Sequence, residues 1–224
     1  MFITKTGFSS PRVPMSKAVE NEFKFTTDQK LSPSDIVDSL ESFLREHSIT
    51  YERKVRRSTD RYYDSEDLVL FSRGCSLRQK DTSKGKFKLT AKRPISNECE
   101  MMSREEIEKP SDGSFRALES FGRECFPNIT IQKEPLVTVL TERVALYYVD
   151  GSDIMLSFDS CRYVSGIHSK TFLEIEIESM NETTERGFDR LGMRDFVKGL
   201  SFSPVTKSKY QRGIEWIQSL NVHI

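Results

Sequence analysis

An α+β fold, with about eight antiparallel strands and helices outside them, is predicted by three observations on this sequence. Extended segments with period-two alternation recur between residues 19 and 179. Short polar or glycine-containing turns join most of them, which favours antiparallel neighbours over crossover connections. Helical spacing is confined to four stretches, near 33–47, 112–126, 183–199 and 207–219.

The elements follow in order. Residues 1 to 17 carry Pro11, Pro14, basic residues and several Ser and Thr, and read as a tail ahead of a single domain over 18–220. Residues 19 to 26 form the first strand, with Glu20, Glu22 and Lys24 on one face and Phe23 and Phe25 on the other. Ser32-Pro33-Ser34-Asp35 supplies an N-cap, a first-turn proline and an acid. Ile36, Val37, Leu40, Phe43 and Leu44 then recur at helical spacing to about His47. The run TYERKVRRSTDRYYD is extended. CSLRQK and KFKLTAK flank the turn DTSKG, with Lys86, Lys88, Thr90 and Lys92 on one face.

ECEMMSREEIEK continues the alternation, with Arg104, Glu106 and Glu108 on one parity. Residues 112–126 read as a helix stopped by Pro127-Asn128. LVTVLTERVALYYV, DIMLSFDSCRY and KTFLEIEIES read as three more strands, the first two separated by the turn Asp150-Gly151-Ser152-Asp153. Phe188, Leu191, Phe196 and Leu200 mark the next helix, interrupted by Gly187 and Gly192; Ile214, Trp216 and Ile217 mark the last.

Composition excludes several functions. The chain has 34 basic and 34 acidic residues among 224, so net charge favours neither a nucleic acid nor a membrane surface. No apolar run reaches the roughly 18 residues that a membrane span needs. Cys75, Cys99, Cys125 and Cys161 are scattered, a pattern that suits reduced thiols in a cytoplasmic protein and not a zinc site. His47, His168 and His223 are isolated, which argues against a histidine metal site or catalytic triad. The outer faces carry enough apolar residues to permit a homodimer.

The charges are patterned. Acids group on the first, fifth and eighth strands, and bases on the third and fourth. One reading is the wet face of an open sheet. Like-charge crowding weighs against it: Glu174, Glu176 and Glu178 stand about 7 Å apart along one face, given the strand rise. The other reading is the interior of a closed barrel, where carboxylates hold hard divalent cations and Lys and Arg hold a polyanion.

The order of short motifs resembles that of the CYTH domain, or triphosphate tunnel metalloenzymes. The opening E-x-E-x-K is Glu20 to Lys24. YYDSEDLVLFSRGCSLRQK resembles the stretch of aromatic-Asp, apolar run, Gly and S-L-R-x-R, with Lys80 at the second Arg. LTAK, SREEIE, TER (141–143), LSFD (156–159), FLEIE (172–176) and SKY (208–210) follow in family order across 18–218. The resemblance implies an eight-stranded antiparallel tunnel binding a triphosphate with Mg²⁺ or Mn²⁺. It implies phosphate contacts from Lys24, Arg78, Lys80, Lys92, Arg143 and Lys209. Metal-site residues would be Glu20, Glu22, Glu174, Glu176 and Asp159, the last orienting the others together with Glu106, and Glu22, Glu174, Glu176 and Lys24 would carry catalysis. Arg104, Glu108 and Glu178 are supporting residues, and Lys86 and Lys88 lie toward the mouth. Arginine's bidentate phosphate contact is lost at Lys80.

The activity implied is metal-dependent hydrolysis of tripolyphosphate or a related triphosphate, since nothing in the sequence marks a base pocket. The alternatives are a class IV type adenylyl cyclase, a thiamine triphosphatase, an enzyme acting on RNA 5′ ends, or a non-catalytic polyphosphate-binding module.

Overall fold

A computed structural model describes residues 15–82, 84–98, 100–149, 154–179 and 191–220. Residues 1–14 of the expected tail, Cys99, the turn 150–153, Gly187, Phe188 and His223 lie outside these residues.

Eight long strands alternate inward and outward side chains: β1 Ser16–Thr27, β2 Tyr51–Tyr63, β3 Ser76–Thr82, β4 Phe87–Glu98, β5 Met101–Ser111, β6 Val137–Tyr148, β7 Ile154–Ser165 and β8 His168–Ser179. The neighbours run β5-β4-β3-β2-β6-β7-β8-β1, all antiparallel. β1 then pairs with β5, Glu20 opposite Arg104, and closes the barrel. The two-residue β9, Ser203–Pro204, lies against β1 at Phe25 and Thr26.

Two boundaries differ from the sequence reading. β1 begins at Ser16, so the tail's last residues already pair with β5. The segment read as one fifth strand from ECEMM contains a strand junction, because β4 runs on through Pro94 to Glu98 and β5 starts at Met101. Proline carries no amide donor, and the ladder shifts register between Pro94 and Ser96. Gly85, at φ +64°, forms the tight β3–β4 turn.

Among the described residues the helices are α1 Pro33–Glu46, α2 Val69–Ser72, α3 Phe115–Cys125, α4 Met193–Gly199 and α5 Lys209–Ser219. The Ser32 hydroxyl accepts from Asp35 N, as the cap signal predicts, and Ser114 caps α3 in the same way. Gly192 is the left-handed N-cap of α4, so it precedes the helix. The short α2 carried no periodic signal. The chain turns there because Asp64 accepts amide protons from Ser65, Leu70 and Phe71 at 2.7–2.8 Å.

Apolar residues fall into three clusters. Outward Phe23, Phe25, Leu156, Phe158, Ile175 and Ile177 pack under α1 and α4. Outward Leu77, Leu89 and Ala91 pack under α3. The third cluster is inside the barrel. Inward Tyr62, Val137, Val139, Cys161 and Tyr163 meet Tyr210, Ile214 and Ile217 of α5, which stoppers one end of the lumen.

Gly213 allows that close approach. A Cβ there would lie 2.7 Å from Val137 Cγ1 and 3.1 Å from its Cγ2. Gly213→Ala is expected to lose about 1–2 kcal/mol, overpacking outweighing alanine's better helix propensity. Chemical denaturation reads the change, and a variant as stable as the parent would refute this account of the stopper.

Candidate active site in the barrel lumen

The inward positions build a cavity of about 660 Å³. Closure sorts the charges into two walls. β8, β1 and β5 are contiguous and carry Glu176, Glu178, Glu20, Glu22, Glu106 and Glu108. β4, β3, β2 and β6 face them with Lys92, Lys88, Arg78, Lys80, Arg56 and Arg143. Among the described residues the lining has nine cationic side chains and six carboxylates, a surplus of three positive charges with all ionised. Such a surplus draws in a polyanion from solvent.

Each group is held by a neighbour. Lys24 Nζ lies 3.2 Å from Glu22 and 3.0 Å from Glu176, and is 3% exposed. Lys92 donates to Glu20 at 2.5 Å and lies 3.5 Å from Glu106. Arg104 donates to both Glu20, at 3.1 Å, and Glu22. Burial would raise the Glu20 carboxyl, but Lys92 and Arg104 outweigh it and hold the group well below the usual carboxylate range. Lys88 reaches Glu108 at 2.5 Å. Lys86 is exposed, precedes β4 and does not line the cavity.

At the stoppered end, Arg143 forks onto Asp159 with two 2.7 Å bonds and also donates to Glu176. The consecutive residues of SKY divide three tasks. Ser208 caps α5 through a reciprocal box with Gln211. Lys209 reaches Asp159 at 2.8 Å, Glu176 at 2.9 Å and Glu174 at 3.2 Å. Tyr210 donates to Asp64 at 2.7 Å and so ties α5 to β2. Burial works to raise Glu176, but Lys209, Lys24 and Arg143 pull it well below its ordinary value, so it stays ionised.

The expected site residues thus share one lumen, at different depths. Glu20, Glu22, Lys24, Arg78, Lys80, Lys92, Arg104, Glu106, Glu108, Arg143, Glu176, Glu178 and Lys209 line the cavity. Asp159 and Glu174 do not. They are fully buried behind it, Asp159 under Arg143 and Lys209, and Glu174 under Arg212, Lys209 and the Tyr163 hydroxyl.

Among the described residues two groups of acidic or thiol side chains come close enough to share a cation. Glu20, Glu22 and Glu178 each offer an oxygen within 4.8 Å of the others; so do Asp159 and Glu174 with the Cys161 thiol. Both groups already pair with the protein's own cations, but the second includes a thiol and is fully buried behind the cavity. The first is an all-oxygen set, the chemistry that Mg²⁺ and Mn²⁺ select. Burial pushes Glu178 well above the usual carboxylate range. Arg143 at 3.3 Å opposes that, while Glu176 and Glu20 add like-charge repulsion.

Sequence reasoning missed two groups that line the cavity and two buried behind it. Arg56 and Tyr147 stand in the lining, toward the mouth. Asp60, 2% exposed, faces Arg78 at 3.6 Å and Lys80 at 3.8 Å from behind it, and Arg212 donates from α5 to the buried Glu174. Parity along β2 and β6 could have found Asp60, Arg56 and Tyr147. Nothing local marks Arg212. Tyr62 packs on Tyr210, with ring centroids 5.6 Å apart, and also lines the cavity.

Lys80 has a pH signature. Burial lowers its ammonium to about 8, Asp60 opposing and Arg78 adding repulsion. In the free protein it is charged below that pH and neutral above. A bound polyanion favours the charged form, so affinity for tripolyphosphate is expected to fall as pH rises through about 8, with proton uptake on binding just above it. Lys80→Arg, charged throughout, should flatten the profile. Calorimetry in buffers of different ionisation heat measures both, and an identical inflection in the arginine variant would remove Lys80 as its source.

No family model matches the chain, and no curated protein matches it. Solved structures do. A candidate adenylate cyclase from Bacillus halodurans is 18% identical over 88% of this chain and 97% of its own, with a TM-score of 0.56. A Hippeastrum protein, described as a candidate adenylyl cyclase with a dominant triphosphatase activity, is 19% identical over 88% and 95%, with a TM-score of 0.57. A Pyrococcus horikoshii protein is 17% identical over 88% and 98%, with a TM-score of 0.54. This chain has the fold of those structures, a closed eight-stranded antiparallel tunnel with helices outside. The tunnel is stoppered at one end by α5, and its charged lumen is the candidate active site. Among the described residues no helix is long and apolar enough to cross a membrane.

Proposed function

We propose that this chain hydrolyses the terminal phosphoanhydride of a triphosphate in a divalent-cation-dependent reaction, with tripolyphosphate as the minimal substrate. The observation that supports this most is the juxtaposition of Glu20, Glu22 and Glu178 with a facing wall of Arg and Lys in one cavity. A module that only bound polyphosphate would need the bases but not three clustered carboxylates.

Mg²⁺ or Mn²⁺ held by Glu20, Glu22 and Glu178 would supply charge neutralisation and Lewis acidity. Arg78, Lys80, Lys88 and Lys92 would grip the phosphate chain from the opposite wall. Arg143 and Lys209, already placed by Asp159 and Glu176, would meet the terminal phosphoryl group at the closed end without reorganising. Lys24 stands between Glu22 and Glu176, and fixes the spacing of the two carboxylates. One water admitted beyond the terminal phosphoryl group, in line with the departing pyrophosphate oxygen, would be the nucleophile, and the α5 stopper would keep further bulk water out. Glu174, held under Arg212, would act from behind by anchoring that stopper, and the metal set would be completed by Glu178 in its place.

A class IV type adenylyl cyclase is the second reading, prompted by the names of two fold neighbours. The deciding assay supplies tripolyphosphate, ATP and thiamine triphosphate with Mg²⁺ or Mn²⁺, and quantifies phosphate, pyrophosphate and cyclic AMP. Phosphate release that requires metal supports the hydrolase. Cyclic AMP with pyrophosphate and no phosphate supports the cyclase. Tight binding with no turnover leaves a binding module.

A further inference from the structure

The cations of the lumen are held in two different ways. Lys92 sits on Glu20 at 2.5 Å, Lys209 on Asp159 at 2.8 Å and Arg143 on Asp159 at 2.7 Å, so each has donors turned onto a carboxylate. Arg78 and Lys80 of β3 are placed otherwise. The carboxylate that faces both is Asp60, which stands opposite Lys80 in the β2–β3 ladder. It stops 3.6 Å from Arg78 and 3.8 Å from Lys80, beyond hydrogen-bond reach. Arg78 also meets the Thr90 hydroxyl at 3.4 Å and Glu106 at 3.8 Å, both long. Arg78 and Lys80 line the cavity and Asp60 does not, so the carboxylate lies behind them. Among the described residues no donor reaches its buried Oδ1, although a buried carboxylate ordinarily collects donors.

Charge acts over that gap where a hydrogen bond does not. Around Lys80 stand Arg78 on its own strand, Asp60 on β2 with Arg56 further along, Lys88 opposite it on β4, Arg143 on β6 and Lys209 on α5. Glu108 of β5 is taken by Lys88 at 2.5 Å. Asp60 is the one anion in this set left to Lys80. Burial and the neighbouring cations all disfavour an ammonium there, and Asp60 opposes them. We propose that Asp60 is a positioning residue of the phosphate grip: it holds Arg78 and Lys80 in the wall by charge, keeps Lys80 an ammonium at neutral pH, and leaves the donors of both free for phosphate oxygens. The inference rests on the triphosphate reading above and adds how that grip stays charged while it is empty.

The test uses the full chain and two measurements. The first needs no ligand: an NMR titration of the Lys80 ε-methylene signal, assigned by its loss in Lys80→Arg. In Asp60→Asn, which keeps the side chain's shape and removes its charge, the midpoint should fall by about 1–3 pH units. Asp60→Ser should do the same, and serves if the asparagine variant does not fold. The second is calorimetry with inorganic tripolyphosphate and a metal chelator. The pH at which affinity falls should move down with the Lys80 midpoint in Asp60→Asn, and adding Asp60→Asn to Lys80→Arg should move nothing. A variant that merely loosened the barrel would lose affinity by one factor at every pH. That uniform loss, or a Lys80 midpoint that stays in place, would overturn the proposal. Neither measurement involves turnover, so failure to hydrolyse any triphosphate would count against the hydrolase alone. A shifted midpoint with no tripolyphosphate binding would keep Asp60's hold on Lys80 and overturn the triphosphate reading.

Discussion

Glu22→Gln is expected to lower turnover of tripolyphosphate roughly 10²–10³-fold while leaving the unfolding midpoint near that of the parent. Glu22 is 1% exposed, bonded by Arg104 and Lys24, and shares the carboxylate trio with Glu20 and Glu178. Glutamine keeps an acceptor for both cations and the shape of the side chain, but removes the charge a divalent ion needs. Glu178→Gln should lose activity to a similar degree, although Glu178 was read from sequence only as a supporting residue. It should also raise the metal concentration needed for half-maximal rate. Glu174→Gln should retain the parent's metal requirement and lose stability instead. Initial rates across a Mn²⁺ titration, with thermal melts of each variant, separate the cases. Full metal-dependent activity in Glu178→Gln, with none in Glu174→Gln, would return the metal to the Glu174 end.

Arg212→Ala should be among the most destabilising single changes in the chain, at about 3–5 kcal/mol, because it strands a buried carboxylate. Arg212 donates to Glu174 and, at 3.0 Å, to the Thr26 hydroxyl, and its guanidinium lies 5.9 and 5.8 Å from the rings of Tyr163 and Phe172. Glu174 is fully buried and would keep only Lys209 and the Tyr163 hydroxyl. For a chain of this size the loss amounts to a drop of about 6–20 °C in the melting midpoint. Arg212→Lys should fall between, retaining the charge without the fork.

The same pair shapes the acid limb of stability. Burial would raise Glu174, but Arg212 and Lys209 outweigh it and hold the group at about 2 against an ordinary 4.5. A depressed carboxyl stabilises the fold above its unfolded value, and that contribution is lost as pH falls from about 4.5 toward 2. Arg212→Ala should therefore lose less midpoint over that interval than the parent does. Parallel melts that stay a constant distance apart between pH 5 and pH 2 would show that the two residues are not coupled.

Much of the tunnel was legible because a strand's period of two is local information. Glu20, Glu22 and Lys24 must share a face with one another wherever β1 packs, and so must Lys88 and Lys92 in β4. Caps are local too, which is why α1 was readable from Ser32 onward, while α3 was read with the Pro127-Asn128 stop at its end. The strand junction near Cys99 was not legible, since the alternation runs through it without a glycine or a longer loop. α2 was missed because it is built by Asp64 side-chain bonds and not by periodicity.

By itself the sequence determined the face on which each charge lies, the number of long strands and the order of the motifs along the chain. Which charges meet was decided only by closure. Lys92 and Glu20 are 72 residues apart, Arg104 and Glu22 are 82 apart, and each pair touches because β1 bridges β5 and β8. That bridge sets Glu178 opposite Glu22 in the β1–β8 ladder and makes a carboxylate trio. The register of α5 against the barrel interior takes Glu174 out of the lumen, although Glu174 and Glu178 are the same residue type on the same face of one strand. Parity follows from backbone geometry at neighbouring residues. The fate of a carboxylate follows from which distant cation the fold brings within about 3 Å, and no local pattern encodes that distance.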